Sequence, residues 1–361
     1  MKPDYTELIA RKAASTPSSG FNAAEMAPHL FPHQQDLVRW ALRRGRAAIF
    51  ADTGLGKGLM LLEWARQVSA HGRVIILAPL AVGPQLETEA SKWGVSATYV
   101  RDDSAEHRIV ITNYEMLAHF DASAFVGVVL DESSILKSYD GKTKDRLMKA
   151  FGRTPYRLAC TATPAPNDFT ELGNHSEFLG LKSRVEMLAE YFVHDGGSTK
   201  DWRIKGHAVT PFWRWVATWG AVVKMPSDLG YDDGGFALPP LEMVEHVVPS
   251  TDHDVRASGQ LFAMEARTLQ EQRLVRRGTI GSRVKRTADI IRDSKRDQFV
   301  VWCELNDEQD ALAEELGDRV CVSIAGSTDD DDKIDMHERW LKGKARVLVS
   351  KPAIFGFGLN W

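Results

Sequence analysis

One stretch, Ala51-Asp52-Thr53-Gly54-Leu55-Gly56-Lys57-Gly58, constrains this chain more than any other. It lies between an apolar run, residues 47–50, and a segment with Leu59, Leu62, Ala65 and Val68 at helical spacing. Strand, glycine-rich turn, lysine and helix form an arrangement that holds a nucleotide triphosphate. Glycines let successive N–H groups converge on phosphate, the helix N-terminus adds partial positive charge, and Lys57 reaches the outer phosphates. The candidate nucleotide-binding residues here are Thr53, Gly54, Leu55, Gly56, Lys57 and Gly58. Such loops usually end in Lys followed by Thr or Ser, whose hydroxyl meets Mg²⁺; this one ends in Lys57-Gly58. Taken alone, the stretch also fits an ordinary strand-to-helix turn.

A chain of 361 residues has the length for two domains, each with its own core. The net charge of −4 gives no global attraction to polyanions, so a nucleic-acid site must be a local basic face. The three cysteines, Cys160, Cys303 and Cys321, lack metal-ligand spacing and sit in or beside apolar runs. They read as buried thiols of a reducing compartment. No apolar run is long enough to span a bilayer and no signal pattern opens the chain, so a cytoplasmic protein is expected.

Residues 1–27 are rich in Ala, Ser and Pro and read as a helical piece (5–14) followed by a flexible lead-in. Order is expected from residue 30, where Leu30-Phe31-Pro32-His33-Gln34-Gln35 runs into a helix. The Gln34 amide both donates and accepts, so it could read an adenine edge; a solvated helix-start residue is the alternative. Apolar runs at 74–78, 108–112, 125–130 and 156–160 then alternate with helical segments, which predicts a parallel sheet with helices on both faces. In such sheets ligands bind at the carboxyl ends of strands, and the polar motifs all fall there.

Residues 28–225 are expected to form the first domain, with a mostly helical, aromatic extension at 167–224. Its tryptophans at helical spacing, Trp215 and Trp219, favour core packing over base stacking. Residues 226–250, with Gly, Asp and Pro, read as a linker or exposed hairpin. The second domain, 251–361, opens with helices bearing Arg273, Arg276, Arg277, Arg283, Lys285, Arg286, Arg292, Lys295 and Arg296. Interspersed acids make this a solvated face by default, although the spacing also allows a phosphate-tracking stripe. The βα pattern returns at 299–302, 320–324 and 346–349.

Asp131-Glu132 ends an apolar run and supplies two carboxylates with separable tasks. Asp131 can hold Mg²⁺, directly or through water; Glu132 can polarise the water that attacks the γ-phosphate.

The ordered set of motifs resembles the superfamily 2 helicases, within them the Swi/Snf-type group, and most of all its compact bacteriophage-encoded versions. Gln34 corresponds to the adenine-sensing Gln and residues 51–58 to motif I; Ala78-Pro79-Leu80 resembles motif Ia. Thr112-Asn113-Tyr114-Glu115 resembles a further strand-contacting motif, and Asp131-Glu132-Ser133-Ser134 stands where motif II has Asp-Glu-Ala-His. Thr161-Ala162-Thr163-Pro164 matches motif III, residues 300–303 resemble motif IV, and Gly326-Ser327 resembles the segment before motif V. Residues 350–360 resemble motif V, with Gly356, Gly358 and Asn360 at its matching positions.

This resemblance implies two RecA-like P-loop lobes with ATP and Mg²⁺ in the cleft between them and nucleic acid, double-stranded DNA above all, across both. Lys57, Asp131 and Glu132 would be catalytic; Pro79, Thr112, Asn113, Thr161, Thr163, Gly326, Gly356, Gly358 and Asn360 would contact the strand or couple hydrolysis to stepping by lobe closure. Two departures qualify it. Gly58 removes a hydroxyl, so Gly58→Thr is expected to raise DNA-stimulated ATPase activity. Motif VI, with its arginine fingers, is not found before Trp361, so the second lobe is expected to be incomplete. The rival expectation is a nucleotide-gated DNA-binding protein with little turnover.

Overall fold

The computed structural model describes residues 18–104, 106–137, 141–194, 202–237, 240–249, 267–295 and 297–356. Internal contacts divide the chain into two compact units, Met1–Leu238 and Pro239–Trp361. The helix expected at 5–14 lies outside the described residues.

The first unit is built on β1 (Arg46–Ala51), β2 (Arg73–Ala78), β3 (Thr98–Tyr99), β4 (Ile109–Asn113), β5 (Phe125–Asp131) and β6 (Tyr156–Cys160), followed by β7 (Phe192–His194), β8 (Trp202–Ile204) and β9 (Gly220–Val223). Seven of these form one sheet in the order β3-β4-β2-β5-β6-β1-β9, and every pairing in it is parallel. The strands are apolar throughout because both faces are covered. Ile49, Ile76 and Val129 face one core with helices Pro32–Arg44, Lys57–Val68 and Val82–Lys92. Their chain neighbours Phe50, Ile75 and Leu77, and Val128 and Leu130, face the other core. Alternate residues of a strand point to opposite faces, so an unbroken apolar run is what a sheet buried on both sides requires.

The segment 167–224 is mostly helical, with helices Leu172–Phe178, Arg184–Tyr191 and Val209–Ala217, but it also carries strands that its sequence did not suggest. That segment holds the antiparallel β7–β8 hairpin and β9, which lies beside β1 with Ala48 opposite Gly220 and Ala51 opposite Val223. Gly220-Ala221-Val222-Val223 is too short to announce itself, and it becomes a strand because β1 offers it a ladder. Trp215 and Trp219 are buried in the second core against Phe212 and Phe50, as expected of core packing.

Residues 18–27, expected to be flexible, are strapped to the back of helix Lys57–Val68. Ala24 N donates to Gln67 Oε1 (3.0 Å), while Gln67 Nε2 and Arg66 Nη2 donate to Glu25 O (3.0 and 2.9 Å). Sequence pattern hides this because the partners, Glu63 and Gln67, look like solvated helix residues but are buried. Residues 226–236 likewise pack on the first unit through two short turns, with the Phe236 ring 4.9 Å from His33 and 5.1 Å from Phe31.

The second unit carries a smaller parallel sheet of β10 (Phe299–Trp302), β11 (Cys321–Ser323) and β12 (Val347–Ser350), in the order β10-β12-β11. Helices Ile280–Asp293, Asn306–Leu316 and Asp330–Leu341 flank it. The basic stripe on helices Leu269–Gly278 and Ile280–Asp293 is partly neutralised within the unit. Arg276 pairs with Glu304, Arg283 with Glu308, and Arg292 with Glu315. Cys160, Cys303 and Cys321 are all free and buried. Among the described residues, no helix is long and apolar enough to cross a membrane. Two parallel α/β sheets, of seven and three strands, thus bear out the expected fold class.

One buried cation anchors β6. Arg157 donates to Thr154 O (2.9 Å), Phe178 O (2.6 Å) and Gly152 O (2.6 Å). Phe178 ends helix Leu172–Phe178 and Gly152 follows helix Lys142–Phe151, so the guanidinium satisfies carbonyls at two helix C-termini, where the dipole favours positive charge. Replacing Arg157 with Met strands these carbonyls. We expect Arg157→Met to lower unfolding free energy by about 2–4 kcal/mol, measured by urea denaturation.

Candidate nucleotide site

Strand register sets the site. Cys160 of β6 is paired with Ile49 of β1 on one side and with Asp131 of β5 on the other. The carboxyl ends of β5 and β6 are therefore level and β1 runs on to Ala51, so the glycine-rich loop, Glu132 and Thr161 leave the sheet at the same end.

Within the loop, Gly54 (φ +83°) and Gly56 (φ +75°) are left-handed, the conformation that residues with a Cβ avoid. Gly56 caps helix Lys57–Val68 and is required twice over, since a Cβ there would lie 2.4 Å from Gln34 Nε2. Gln34 is buried, at 1% exposure, which removes the solvated alternative. Its Nε2 donates to Leu55 O and its Oε1 accepts from Phe31 N, each at 3.0 Å. The amide thus braces the loop from behind, with a second N–H and a second lone pair still available. Thr53 and Gly54 are exposed at the loop tip, and Leu55 is its core anchor. Lys57 Nζ folds back to donate to Ala51 O (3.1 Å) and Asp52 O (3.2 Å).

Asp131 is buried, and its Oδ1 accepts from the Glu132 N–H (3.1 Å). Desolvation first, and the Glu132 charge second, push its carboxyl up to about 7 against the pull of Lys57. The backbone at Asp131 is pinned by Tyr114, whose hydroxyl donates to Asp131 O at 2.6 Å. Glu132 has φ +55° and is the non-glycine residue with positive φ among those described. Such a conformation costs about 1–3 kcal/mol and persists only where its surroundings hold it. Here Ser134 Oγ (2.8 Å) and Thr161 Oγ1 (2.7 Å) both donate to Glu132 Oε1. Thr161 in turn accepts from the Thr163 N–H at 3.1 Å, and Thr163 itself is exposed.

The structure brings together Gln34, residues 53–58, Asp131, Glu132 and Thr161. It separates others from any surface: Thr112 and Asn113 are buried at the end of β4, and Asn113 Oδ1 accepts from Tyr99 OH (2.9 Å). Pro79 is half-buried and starts a turn by accepting from Val82 N (2.9 Å). Gly326 and Gly356 are exposed in the second unit. A Cβ on Gly356 would lie 2.4 Å from Pro352 O, so no side chain fits there. Gly358 and Asn360 lie outside the described residues.

A magnesium nucleotide fits this edge. Gly54 has open space around it, the helix N-terminus and Lys57 supply positive charge, and Asp131 supplies a hard oxygen donor. Among the described residues no three His, Cys, Asp or Glu side chains are grouped to hold a metal unaided. Mg²⁺ does not require such a group, being held by one or two carboxylates with phosphate oxygens and water completing its shell.

Sequence reading placed Tyr114 in a motif without giving it a role of its own, and passed over His175. His175 is buried on helix Leu172–Phe178, with Nε2 3.1 Å from Ser133 Oγ, and desolvation pulls it down to about 4. An ordinary His titrates near 6.5, so below that pH the unfolded chain takes up a proton that the folded chain refuses. The stabilisation from neutral His175 is complete above about 6.5 and is lost progressively as pH falls towards 4. We expect His175→Gln to flatten the loss of stability between pH 6.5 and pH 4 seen in urea titrations of the wild type. Parallel slopes for the two proteins would contradict this.

No family model matches the chain, and no curated protein matches it. Among solved structures it is similar to the SWI2/SNF2 ATPase core of Sulfolobus solfataricus in complex with dsDNA, with 16% identity, 92% of this chain and 80% of that chain covered, and a TM-score of 0.50. The SWI2/SNF2 ATPase core domain of the same organism is similar at 15% identity over 94% of this chain and 79% of that one, with a TM-score of 0.46. The UvsW helicase of bacteriophage T4 is similar at 14% identity over 51% and 66%, with a TM-score of 0.36. At such identities the first likeness speaks for fold alone: the fold of this chain is similar to that of the Sulfolobus solfataricus SWI2/SNF2 ATPase core in complex with dsDNA.

Proposed function

We propose that this chain is an ATP-dependent nucleic-acid translocase of the helicase type, acting on double-stranded DNA. The observation that carries the reading is the convergence at one sheet edge of the glycine loop with Lys57, buried Asp131, and Glu132 gripped by Thr161.

Each residue has a task that follows from its position. Loop N–H groups and the helix N-terminus receive the phosphates, and Lys57 exchanges the Ala51 and Asp52 carbonyls for phosphate oxygens. Asp131 would hold Mg²⁺ through its ionised carboxylate, the form that burial and the neighbouring acid disfavour until a cation accompanies it. Magnesium, when present, neutralises charge on the phosphate oxygens during in-line displacement. Glu132 orients and polarises the attacking water once Thr161 and Ser134 release its Oε1. Thr161 therefore senses whether Glu132 is engaged, and its bond to Thr163 N relays that state to an exposed position.

The duplex preference draws on the likeness to a core in complex with dsDNA and on the motif resemblance. Pro79, Thr163, Gly326, Gly356, Gly358 and Asn360 are assigned to the strand-facing side by motif correspondence. Thr112 and Asn113 act from the interior, by fixing the end of β4. Contacts of this type go to the sugar-phosphate backbone and give little sequence specificity. A second reading, a nucleotide-gated DNA binder with little turnover, is favoured by one feature, the missing hydroxyl at Gly58.

One assay separates them. Duplex DNA should stimulate ATP hydrolysis by the wild type, and Glu132→Gln should lower kcat by about 10²-fold or more while nucleotide still binds. Lys57→Ala should abolish nucleotide binding. Wild-type turnover no faster than Glu132→Gln, with ATP and duplex both bound, would establish the binder instead. Failure of the wild type to bind nucleotide would overturn both readings.

A further inference from the structure

The loop lacks a hydroxyl at position 58, and another oxygen occupies the space. A Cβ built on Gly58 would lie 2.5 Å from Glu89 Oε2 and 3.5 Å from Glu89 Cδ, with Leu86 Cδ1 at 3.6 Å. Glu89 belongs to helix Val82–Lys92, which follows β2 and packs beside the loop helix. Its carboxylate therefore enters the volume that a Ser or Thr side chain would fill at the end of the loop. Any side chain at 58 would have to push it out.

We propose that Glu89 supplies the oxygen that position 58 lacks. On this view its carboxylate accepts hydrogen bonds from the water shell of the nucleotide-bound divalent cation, alongside Asp131. Gly58 and Glu89 are then a matched pair: the glycine makes room, and the acid reaches in from a neighbouring helix. The inference rests on the nucleotide-site reading above.

Two further observations agree with the geometry. Glu89 lies close enough to Asp131 for its charge to act on that carboxyl, as the smallest of several influences. Glu89 itself is raised by desolvation, with Lys92 on the same helix opposing. A half-buried acid beside a phosphate loop is a burden on binding unless a cation accompanies the phosphates. Outer-shell acceptors of this kind are worth about 10–100-fold in metal affinity.

The competing explanation is that Glu89 merely repels the triphosphate, and the sign of a substitution distinguishes the two. The probe is ATP carrying a methylanthraniloyl group on its ribose, titrated into the full chain with excess Mg²⁺ and again with EDTA. Glu89→Gln should leave or strengthen binding in EDTA but reduce the Mg²⁺-dependent gain in affinity by about ten-fold. Glu89→Asp, which keeps the charge but withdraws the oxygen, should also lose most of that gain. Gly58→Thr in the Glu89→Gln background should restore it, because the hydroxyl takes the vacated space. An unchanged gain in both Glu89 variants would overturn the proposal, as would equal strengthening with and without Mg²⁺. Lys57→Ala is the control for the underlying reading. Should it leave affinity unchanged in both conditions, the nucleotide site itself is misassigned; should it weaken binding while the Glu89 variants keep the gain, only the role of Glu89 fails.

Discussion

The pairing of Cys160 with both Ile49 and Asp131 is the constraint on which the first unit depends. A parallel ladder fixes relative height, and β6 therefore acts as a gauge between the two strands that carry the polar groups. A slip of one residue on either side would turn Asp131 or the loop entry to the wrong face and swap Val128, Val129 and Leu130 between two cores shaped for different side chains. The packing lost in both cores is what holds the register. Arg157 then pins β6 to two helix ends, so the gauge is itself anchored.

Much of this was legible in the sequence, and the reason is burial. Strands covered on both faces are written as continuous apolar runs, which is why residues 74–78, 125–130 and 156–160 stand out and match β2, β5 and β6 closely. β9 left no such mark, because four small residues become a strand only through the ladder that β1 offers. The N-terminal strap was hidden for a similar reason: its grip comes from Glu63 and Gln67, polar residues that periodicity assigns to solvent. Motif chemistry gave the loop and the acid pair, but not the partners that position them. Tyr114 holds Asp131 across 17 positions of sequence, and His175 meets Ser133 across 42. Such contacts are set by tertiary packing, and no local spacing encodes them.

The second unit shows the limit of composition as a guide to partners. A run of arginines reads as a phosphate stripe until its counter-charges are placed. Glu304, Glu308 and Glu315 come from the turn and helix after β10, distant in sequence from the arginines they meet. Exposed ion pairs of this kind add little stability, but they lower the field that the arginines present to a polyanion. The basic character of this face is consequently smaller than the residue count implies.

The burial of all three thiols has a practical consequence. Cys160, Cys303 and Cys321 are enclosed, and desolvation holds each thiol in its protonated, unreactive form. The native protein is thus close to silent towards maleimides and other thiol reagents. A single cysteine introduced at an exposed position, beside Thr53 or Thr163, would be labelled selectively without first removing the natural ones. The chain comes ready for site-specific fluorophores on either side of its candidate nucleotide edge.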